Sequence, residues 1–539
     1  MKKLTTFLFA CLTVMMVQAQ VQKPQPTNPS DAGTHYINPI VRADFPDPDV
    51  IRVGSTYYMV STTMCLFPGA TILKSEDLVN WEYCAQPLKQ LLDDDRYNLR
   101  DGKNAYAKGM WASSMKYHNG KFYLLINGND NKAWLLSAAN PEGEWEVRRL
   151  SRNYYDPGML FDGDKVYIAC GYNHISMCEL DADFNFVREQ EVVVRENSGL
   201  EGCHLYKIGD YYYIYATYGG FPSGQAAFRS KNIFGPFEEK VLVEKNYDGK
   251  INTIHQGALF EDIDGKWWTV MQEDLGALGR FPNLLPVTWQ DGWPVVAEGK
   301  RPPVSFVDKV PRPVSADKRI KVLPTSDDFS NKELDMQWQW NHNPVPSAWS
   351  LDERPGWLRL KSVGIVQNLH QAQGMLTQRI FADKERPSMG TIALMSEVSR
   401  KAIVQASASS KILMLSFAWS GHQRRLTSLF GNRIRSVMLA EVSKQQKRPC
   451  QSSQRKASSI FELPFSMART RLASCILSTA RLGHHLVARR SSRSTSPSSS
   501  APASASSVVP PSKMAAMPTS TGLRQSLSEI LPSIGKSQT

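Results

Sequence analysis

Five times between Tyr36 and Arg312 the chain repeats one unit: a residue of catalytic type, a short apolar run, a Gly-bearing turn, then a run of aromatic and β-branched residues. Asp47 precedes the turn Gly54-Ser55 and the run Tyr57 to Thr62. Trp111 precedes Asn119-Gly120 and Tyr123, and Asp156 precedes Asp162-Gly163 and Tyr167. Glu201 precedes Gly209-Asp210 and Tyr213, and His255 precedes Asp264-Gly265 and Trp268. In each unit the polar or aromatic residue stands roughly 11 to 13 positions before the aromatic that follows the turn. A glycine turn between two such runs reads as a β-hairpin. Repetition at roughly 45 to 65 residues is the period of propeller blades, not of helical solenoids. If every innermost strand starts at the propeller axis, Asp47, Trp111, Asp156, Glu201 and His255 converge there, although the first and last are over 200 positions apart.

The chain has 539 residues, enough for two to four domains. Met1 to Ala19 reads as a secretory signal: Lys2 and Lys3, an apolar run from Leu4 to Val17, and Val17-Gln18-Ala19 as a small-residue cleavage site. The apolar run is short for a membrane anchor, and Leu8-Phe9-Ala10-Cys11 fits a lipoprotein box poorly at Phe9. The expected location is therefore periplasmic or extracellular. Residues 20–35 form a Pro, Asn and Gly-rich linker, and 36–312 form one all-β domain without long helical periodicity. Outside the signal, Cys65, Cys84, Cys170, Cys178, Cys203, Cys450 and Cys475 are odd in number and lack metal-type spacing, so they read as buried thiols.

The net charge of +12 is unevenly distributed. Residues 395–539 carry about 21 Lys and Arg against about 4 Glu and no Asp, which leaves the first 394 residues mildly acidic. A basic tail can bind nucleic acid. Here the basic stretch also lacks Tyr and ends in Ser, Ala, Arg and Pro-rich low complexity (Ser491 to Ser507), a composition that buries too little apolar surface to offset chain entropy. Disorder is its expected state, and no nucleic-acid partner is assigned.

Several motifs in order carry a family resemblance: Asn38-Pro39 with Pro46-Asp47-Pro48-Asp49, Leu66-Phe67-Pro68-Gly69, Ser75 to Trp81, Tyr155-Asp156-Pro157-Gly158, Leu200 to Lys207, and His255-Gln256-Gly257. Together they resemble glycoside hydrolase family 43. The resemblance implies a five-bladed β-propeller and inverting, exo-acting hydrolysis that releases terminal α-L-arabinofuranosyl or β-D-xylosyl units from plant hemicellulose. It implies Asp47 as general base, Glu201 as general acid and Asp156 as the carboxylate that orients the acid and raises its pKa. Trp111 matches the family's sugar-stacking aromatic, His255 its axial histidine, and Arg280 the basic residue that anchors sugar hydroxyls. No cofactor is required, and a structural calcium ion on the axis is left open. Inversion needs one carboxylic acid and one carboxylate about 6.5–9.5 Å apart, with a water between.

Each residue also has a plainer reading. Asp before Pro is a common turn former, Asp49 competes with Asp47 within the same turn, a Trp at a blade mouth can be core, and a His can be a satisfied core residue. Three carboxylates at equivalent blade positions weigh against coincidence. Met64, Leu66 and Ala112-Ser113-Ser114 depart from the pattern of xylosidase relatives near the sugar pocket, so the choice between arabinose and xylose stays open, as does the oligomeric state.

A second module opens at residue 324. Asp327 to Ser362 and Leu376-Thr377-Gln378-Arg379 resemble the β-sandwich that follows the propeller in the β-xylosidase and α-L-arabinofuranosidase branch. Such a module needs on the order of 200 residues, yet the resemblance stops near Leu394. A reading-frame slip accounts for the break: Lys401 to Ser407 can be encoded so that the sequence read from the third base is Gly-Asp-Ser-Ala-Gly-Leu, as family sandwiches commonly have there. Residues 324–394 are then an incomplete sandwich. Rival functions are an endo-arabinanase, a carbohydrate-binding propeller without turnover, and a nucleic-acid binder acting through the tail. Sequencing the nucleotides beyond Leu394 is expected to show a long alternative frame; its absence refutes the slip.

Overall fold

The computed structural model describes residues 34–129, 132–247, 249–297, 302, 305, 308–313, 322–361, 363 and 369–382, together with the backbone of two strands at Met389–Leu394 and Ser459–Pro464. The chain's contacts divide after Met467, and the second unit, Ala468–Thr539, lies wholly outside the described residues. So do the expected signal segment Met1 to Ala19 and most of the basic tail.

The five repeats fold as five four-stranded antiparallel sheets, each in simple sequential order. Blade 1 comprises Asp49–Val53, Thr56–Ser61, Thr71–Ser75 and Glu82–Ala85. Blade 2 comprises Met110–His118, Lys121–Gly128, Lys132–Ala138 and Glu146–Arg149. Blade 3 comprises Gly158–Asp162, Lys165–Tyr172, His174–Leu180 and Phe186–Val194. Blade 4 comprises Glu201–Ile208, Tyr211–Tyr218, Gly224–Ser230 and Glu238–Val243, and blade 5 comprises Ile254–Glu261, Trp267–Asp274, Arg280–Gln290 and Trp293–Val296. Among the described residues there is no α-helix, only short 3-10 turns, and no helix long and apolar enough to cross a membrane.

Burial changes along each blade. Second strands such as Phe122 to Gly128 and Tyr213 to Tyr218 are buried on nearly every residue, because a neighbouring blade packs on each face. Outer strands are charged and exposed: all four residues of Glu146–Arg149 face solvent, as do most of Phe186–Val194. Charge on an outer edge discourages pairing with another chain. The apolar residues gather into five clusters, each joining two adjacent blades. Val60 and Ile72 meet Met115, Leu124 and Ile126; Leu125 meets Met159 and Ile168; Ala169 and Met177 meet Leu205 and Ile214; Tyr215 and Ala227 meet Leu259, Met271 and Leu285. The fifth cluster sets Ala258, Phe260 and Val270 of blade 5 against Val50, Tyr57 and Met59 of blade 1. Five blades with five interfaces make a closed ring.

Closure is also fastened by polar groups. His35–Ile37 pairs antiparallel with Lys309–Pro311. The Asn38 amide exchanges two hydrogen bonds of 2.9 Å with the backbone of Leu284, and the Tyr36 hydroxyl donates to the same carbonyl at 2.6 Å. The motif Ser75 to Trp81 has the structural role expected of it: Asp77 accepts the amides of Val79 and Asn80, and Trp81 donates its indole N–H to Leu78. Asp77 is paired with Arg312 at 3.2 Å, both groups being buried.

The second module is threaded against the propeller. Gln339–Asn341 lies between Leu376–Thr377 and the propeller's Leu66–Phe67 in a three-stranded sheet. Leu66, whose departure from the family pattern bears on sugar preference, is thus engaged in holding the module. His342 accepts the Ala105 amide through Nε2 at 2.9 Å, and burial lowers its pKa to about 4, so it packs as a neutral ring. Asn343 donates to Leu92 and Asn98 on the same long loop between blades 1 and 2. Farther on, Ser459–Pro464 pairs with Met389–Leu394, although the sequence around it reads as unstructured. Its own residues, Ile460, Phe461 and Leu463, carry the apolar content a strand needs.

Removing one partner of a buried ion pair strands the other charge in a poor solvent. Arg312→Met is therefore expected to destabilise the chain by about 3 kcal/mol in urea unfolding, with the loss falling on closure of the ring; an unchanged midpoint contradicts that role.

Candidate active site

All five residues singled out by the repeat stand where an innermost strand begins. Asp47 and Asp156 lie two residues before Asp49–Val53 and Gly158–Asp162, Glu201 opens its strand, and Trp111 and His255 are second in theirs. The chain turns sharply at these positions. Asp47 and Asp156 have φ of 52° and 47°, Gln256 45° and Gly202 65°, all in the left-handed region. A non-glycine residue there is strained and is held by its surroundings. Register shifts at Met110/Ser113, Glu201/His204 and His255/Gly257 mark the same kink in blades 2, 4 and 5. A bulge of this kind re-aims a side chain at the start of a strand.

Asp47 is enclosed by donors. Its Oδ1 accepts an Arg280 guanidinium N–H at 2.6 Å, its Oδ2 accepts the Thr62 hydroxyl at 2.7 Å, and its own amide donates to the Gln272 side chain at 2.7 Å. Arg280 is gripped at its backbone too, because its amide donates to Asp44 at 2.7 Å. Burial pushes Asp44 up to about 6, although the Arg280 amide and charge pull the other way. The approach requires Gly279: a Cβ there would lie 2.3 Å from Asp44 Oδ1, and its φ is 98°. The Arg280 guanidinium also stands 5.9 Å from the centre of the Trp111 ring. Trp111 is itself half-buried and donates to Ala107 at 3.3 Å.

Asp49, the rival acid of the same turn, faces elsewhere. It is fully buried and accepts the Met115 amide at 2.6 Å and His204 at 3.2 Å, with the Lys116 ammonium at 3.8 Å. Burial raises its pKa, but Lys116 and His204 outweigh burial and leave it below the ordinary carboxylate range. Asp49 ties blade 1 to blades 2 and 4.

Two other carboxyls are held as weak acids. Burial, then the charges of Glu201 and Asp47, lift Asp156 well above its ordinary value against the opposing pull of Arg280. Glu201 is raised mainly by burial and by Asp47, while the Tyr155 hydroxyl, 3.0 Å from its Oε2, together with His255 and Arg280, favours its charged form. Asp47, Asp156, Glu201 and Arg280 thus act on one another electrostatically. His255 has both ring nitrogens engaged, Nδ1 by Thr217 at 3.1 Å and Nε2 by Asp274 at 2.9 Å. Asp274 also stands 3.8 Å from the Arg280 guanidinium. Among the described residues no group of three or more His, Cys, Asp or Glu could hold a metal ion. Cys203, on the Glu201 strand, is a core residue in the blade 3–4 cluster, and the five described cysteines are buried and unpaired.

Thr62, Tyr155, Gln272 and Asp274 escaped the sequence reading. Their signal is faint: polar residues at the ends of apolar strands, as in Met271-Gln272-Glu273-Asp274, or a motif member given no role of its own, as Tyr155 is. The second module also reaches this site. Arg379 donates to the Asp44 carbonyl at 2.7 Å, stacks 4.3 Å from the Phe45 ring and bonds Gln339 at 2.9 Å.

Asp47 against a guanidinium, with two carboxyls of raised pKa in electrostatic reach at the mouth of a five-bladed propeller, forms a candidate site for acid–base chemistry. Comparison with known proteins agrees. Residues 36–294 match the sequence model described as glycosyl hydrolases family 43, and residues 326–387 match that of a β-xylosidase C-terminal concanavalin A-like domain. A non-reducing end α-L-arabinofuranosidase of Bacteroides ovatus is 34% identical over 363 residues, covering 63% of this chain and 67% of that protein. A β-xylosidase of Formosa agariphila is 33% identical over 394 residues, covering 65% and 66% respectively. A solved, engineered family 43 hydrolase, described as displaying both endo-xylanase and exo-arabinofuranosidase activity, shares 30% identity at a TM-score of 0.60, covering 67% of this chain and 72% of that one. The chain belongs to glycosyl hydrolases family 43. It spans 65, 66 and 67% of the length of three curated relatives, just under two thirds in the first two.

A carboxyl whose pKa is higher in the folded chain than in the unfolded one is penalised once pH exceeds its unfolded value, and free of penalty below it. Asp156→Asn is therefore expected to stabilise the fold at pH 7, on the order of 1 kcal/mol as is usual on relaxing a strained functional group. The gain should vanish near pH 3.5. Thermal melting at the two pH values checks it; no gain at pH 7 contradicts the crowding of charge.

Proposed function

We propose that this chain is an exo-acting, inverting glycoside hydrolase that releases terminal α-L-arabinofuranosyl or β-D-xylosyl units from hemicellulose oligosaccharides. The reading rests on one observation above the others: the carboxyls at the propeller mouth have unlike surroundings. Asp47 is bound as an acceptor of two hydrogen bonds from Arg280 and Thr62, whereas burial and nearby charge keep Glu201 a weak acid. In this mechanism Asp47 takes a proton from water as that water attacks the anomeric carbon. Glu201 donates a proton to the departing oxygen, and its tendency to keep the proton is what makes it available near neutral pH. Asp156 orients Glu201, Trp111 offers a flat apolar face to the sugar ring, and Arg280 bridges Asp47 to the sugar hydroxyls. His255, tied to Thr217 and Asp274, shapes the floor.

Family membership and the activities named for the two relatives support the substrate class. The N-terminal segment read as a signal supports action outside the cytoplasm, where such polysaccharides are met. The second module, threaded onto Leu66–Phe67 and the Asp44 turn, serves as a brace for the propeller.

Release of pentose from aryl α-L-arabinofuranosides and aryl β-D-xylosides tests the reading, with NMR following the anomer first formed. Inversion at the anomeric carbon is expected. Asp47→Asn and Glu201→Gln should each lower turnover by about 10²–10⁴-fold while retaining sugar binding. Turnover unaffected by either substitution, or retention of configuration, refutes the assignment, and cleavage confined to internal bonds refutes the exo mode.

A further inference from the structure

Tyr155 stands immediately before Asp156 at the mouth of blade 3, and its side chain crosses to blade 4, where its hydroxyl donates to Glu201 Oε2 at 3.0 Å. Its place is fixed from behind. The Tyr155 carbonyl accepts the Gly171 amide at 3.0 Å, and the ring packs edge-on against Tyr172 with centroids 6.3 Å apart. A second bridge runs alongside, the Cys203 amide donating to the Asp156 carbonyl at 3.2 Å. One turn of blade 3 thus holds both ends of the first stretch of the Glu201 strand.

We propose that Tyr155 is a positioning residue for proton donation by Glu201: it occupies Oε2, leaves Oε1 to carry the transferable proton, and holds the carboxyl more strongly as that proton departs. This rests on Glu201 being the general acid. The physical reason is that a hydroxyl bonds an ionised carboxylate more strongly than a neutral acid. The bond is therefore worth more in the transition state, where Glu201 is becoming charged, than in the ground state, and only such a difference accelerates the chemistry. Burial and the surrounding carboxylates push the phenol far above its ordinary range, so Tyr155 remains a donor throughout the working pH.

Tyr155→Phe removes the hydroxyl and keeps the ring that packs on Tyr172, and matched melting curves verify the fold. Its kcat/KM is measured on pentosides whose leaving groups run from nitrophenol, which departs with little protonation, to an alkyl alcohol, which needs it. The expected loss is about tenfold for the alkyl glycoside and no more than about twofold for the nitrophenyl one. Losing a bond that favours the ionised form also raises the pKa of Glu201, so the basic limb of the pH profile should move to higher pH. Equal loss across all leaving groups with an unmoved limb, or no loss at all, overturns the proposal. Glu201→Gln, measured in parallel, separates the two ideas. A steep leaving-group dependence there with a flat response in Tyr155→Phe refutes the role of Tyr155 alone, and a flat response in both refutes the acid assignment and this proposal with it.

Discussion

The contact between Arg280 and Asp47, 2.6 Å across the seam between blades 5 and 1, is the constraint on which the site depends. These blades are the ends of the ring, joined by packing and by the pairing of His35–Ile37 with Lys309–Pro311 instead of by a short connection. Asp44 holds the backbone of Arg280 from the segment that also carries Asp47, so the guanidinium is clamped at both ends. Closing the ring therefore assembles the site, and a propeller left open at this seam loses the orientation of Asp47 along with part of its core.

Charge balance follows from the same clamp. Three carboxyls lie in mutual electrostatic reach with one guanidinium among them, and one positive charge cannot neutralise three negative ones. Burial, reinforced by the neighbouring negative charges, raises the pKa of Asp156 and of Glu201, which lack the direct guanidinium contact of Asp47. Burial that would be costly for a structural carboxylate here raises Glu201, as the general-acid role proposed for it requires. Asp49 illustrates the alternative: just as buried, but compensated by Lys116, His204 and a backbone amide, it stays ionised and works as a fastener.

The second module contributes at a distance. Arg379 touches Phe45 and the Asp44 carbonyl, and Gln339 connects Arg379 to the Pro68 carbonyl beside Leu66–Phe67. Through these contacts the segment bearing Asp44 and Asp47 is held by the second module as well as by Arg280.

The sequence by itself determined the blade count and the five residues at the blade mouths, because hairpin turns, aromatic runs and preceding polar residues are local signals repeated in register. It also yielded Ser75 to Trp81 as turn chemistry, since Asp and Ser capping is written within a few positions. The family resemblance favoured Asp47, but the residues alone left Asp49, two positions on in the same turn, as a rival. That choice belongs to the left-handed backbone at Asp47, which turns one acid toward Arg280 while the other meets Met115 and His204 on different blades. Nor could the sequence find Tyr155, Gln272 or Asp274, whose partners lie 46, 225 and 19 positions away. The first joins neighbouring blades, the second crosses the seam where the ring closes and the third joins two strands of blade 5, so all three exist only in the folded chain; the shifted acidities likewise arise from burial and from charges gathered out of different blades.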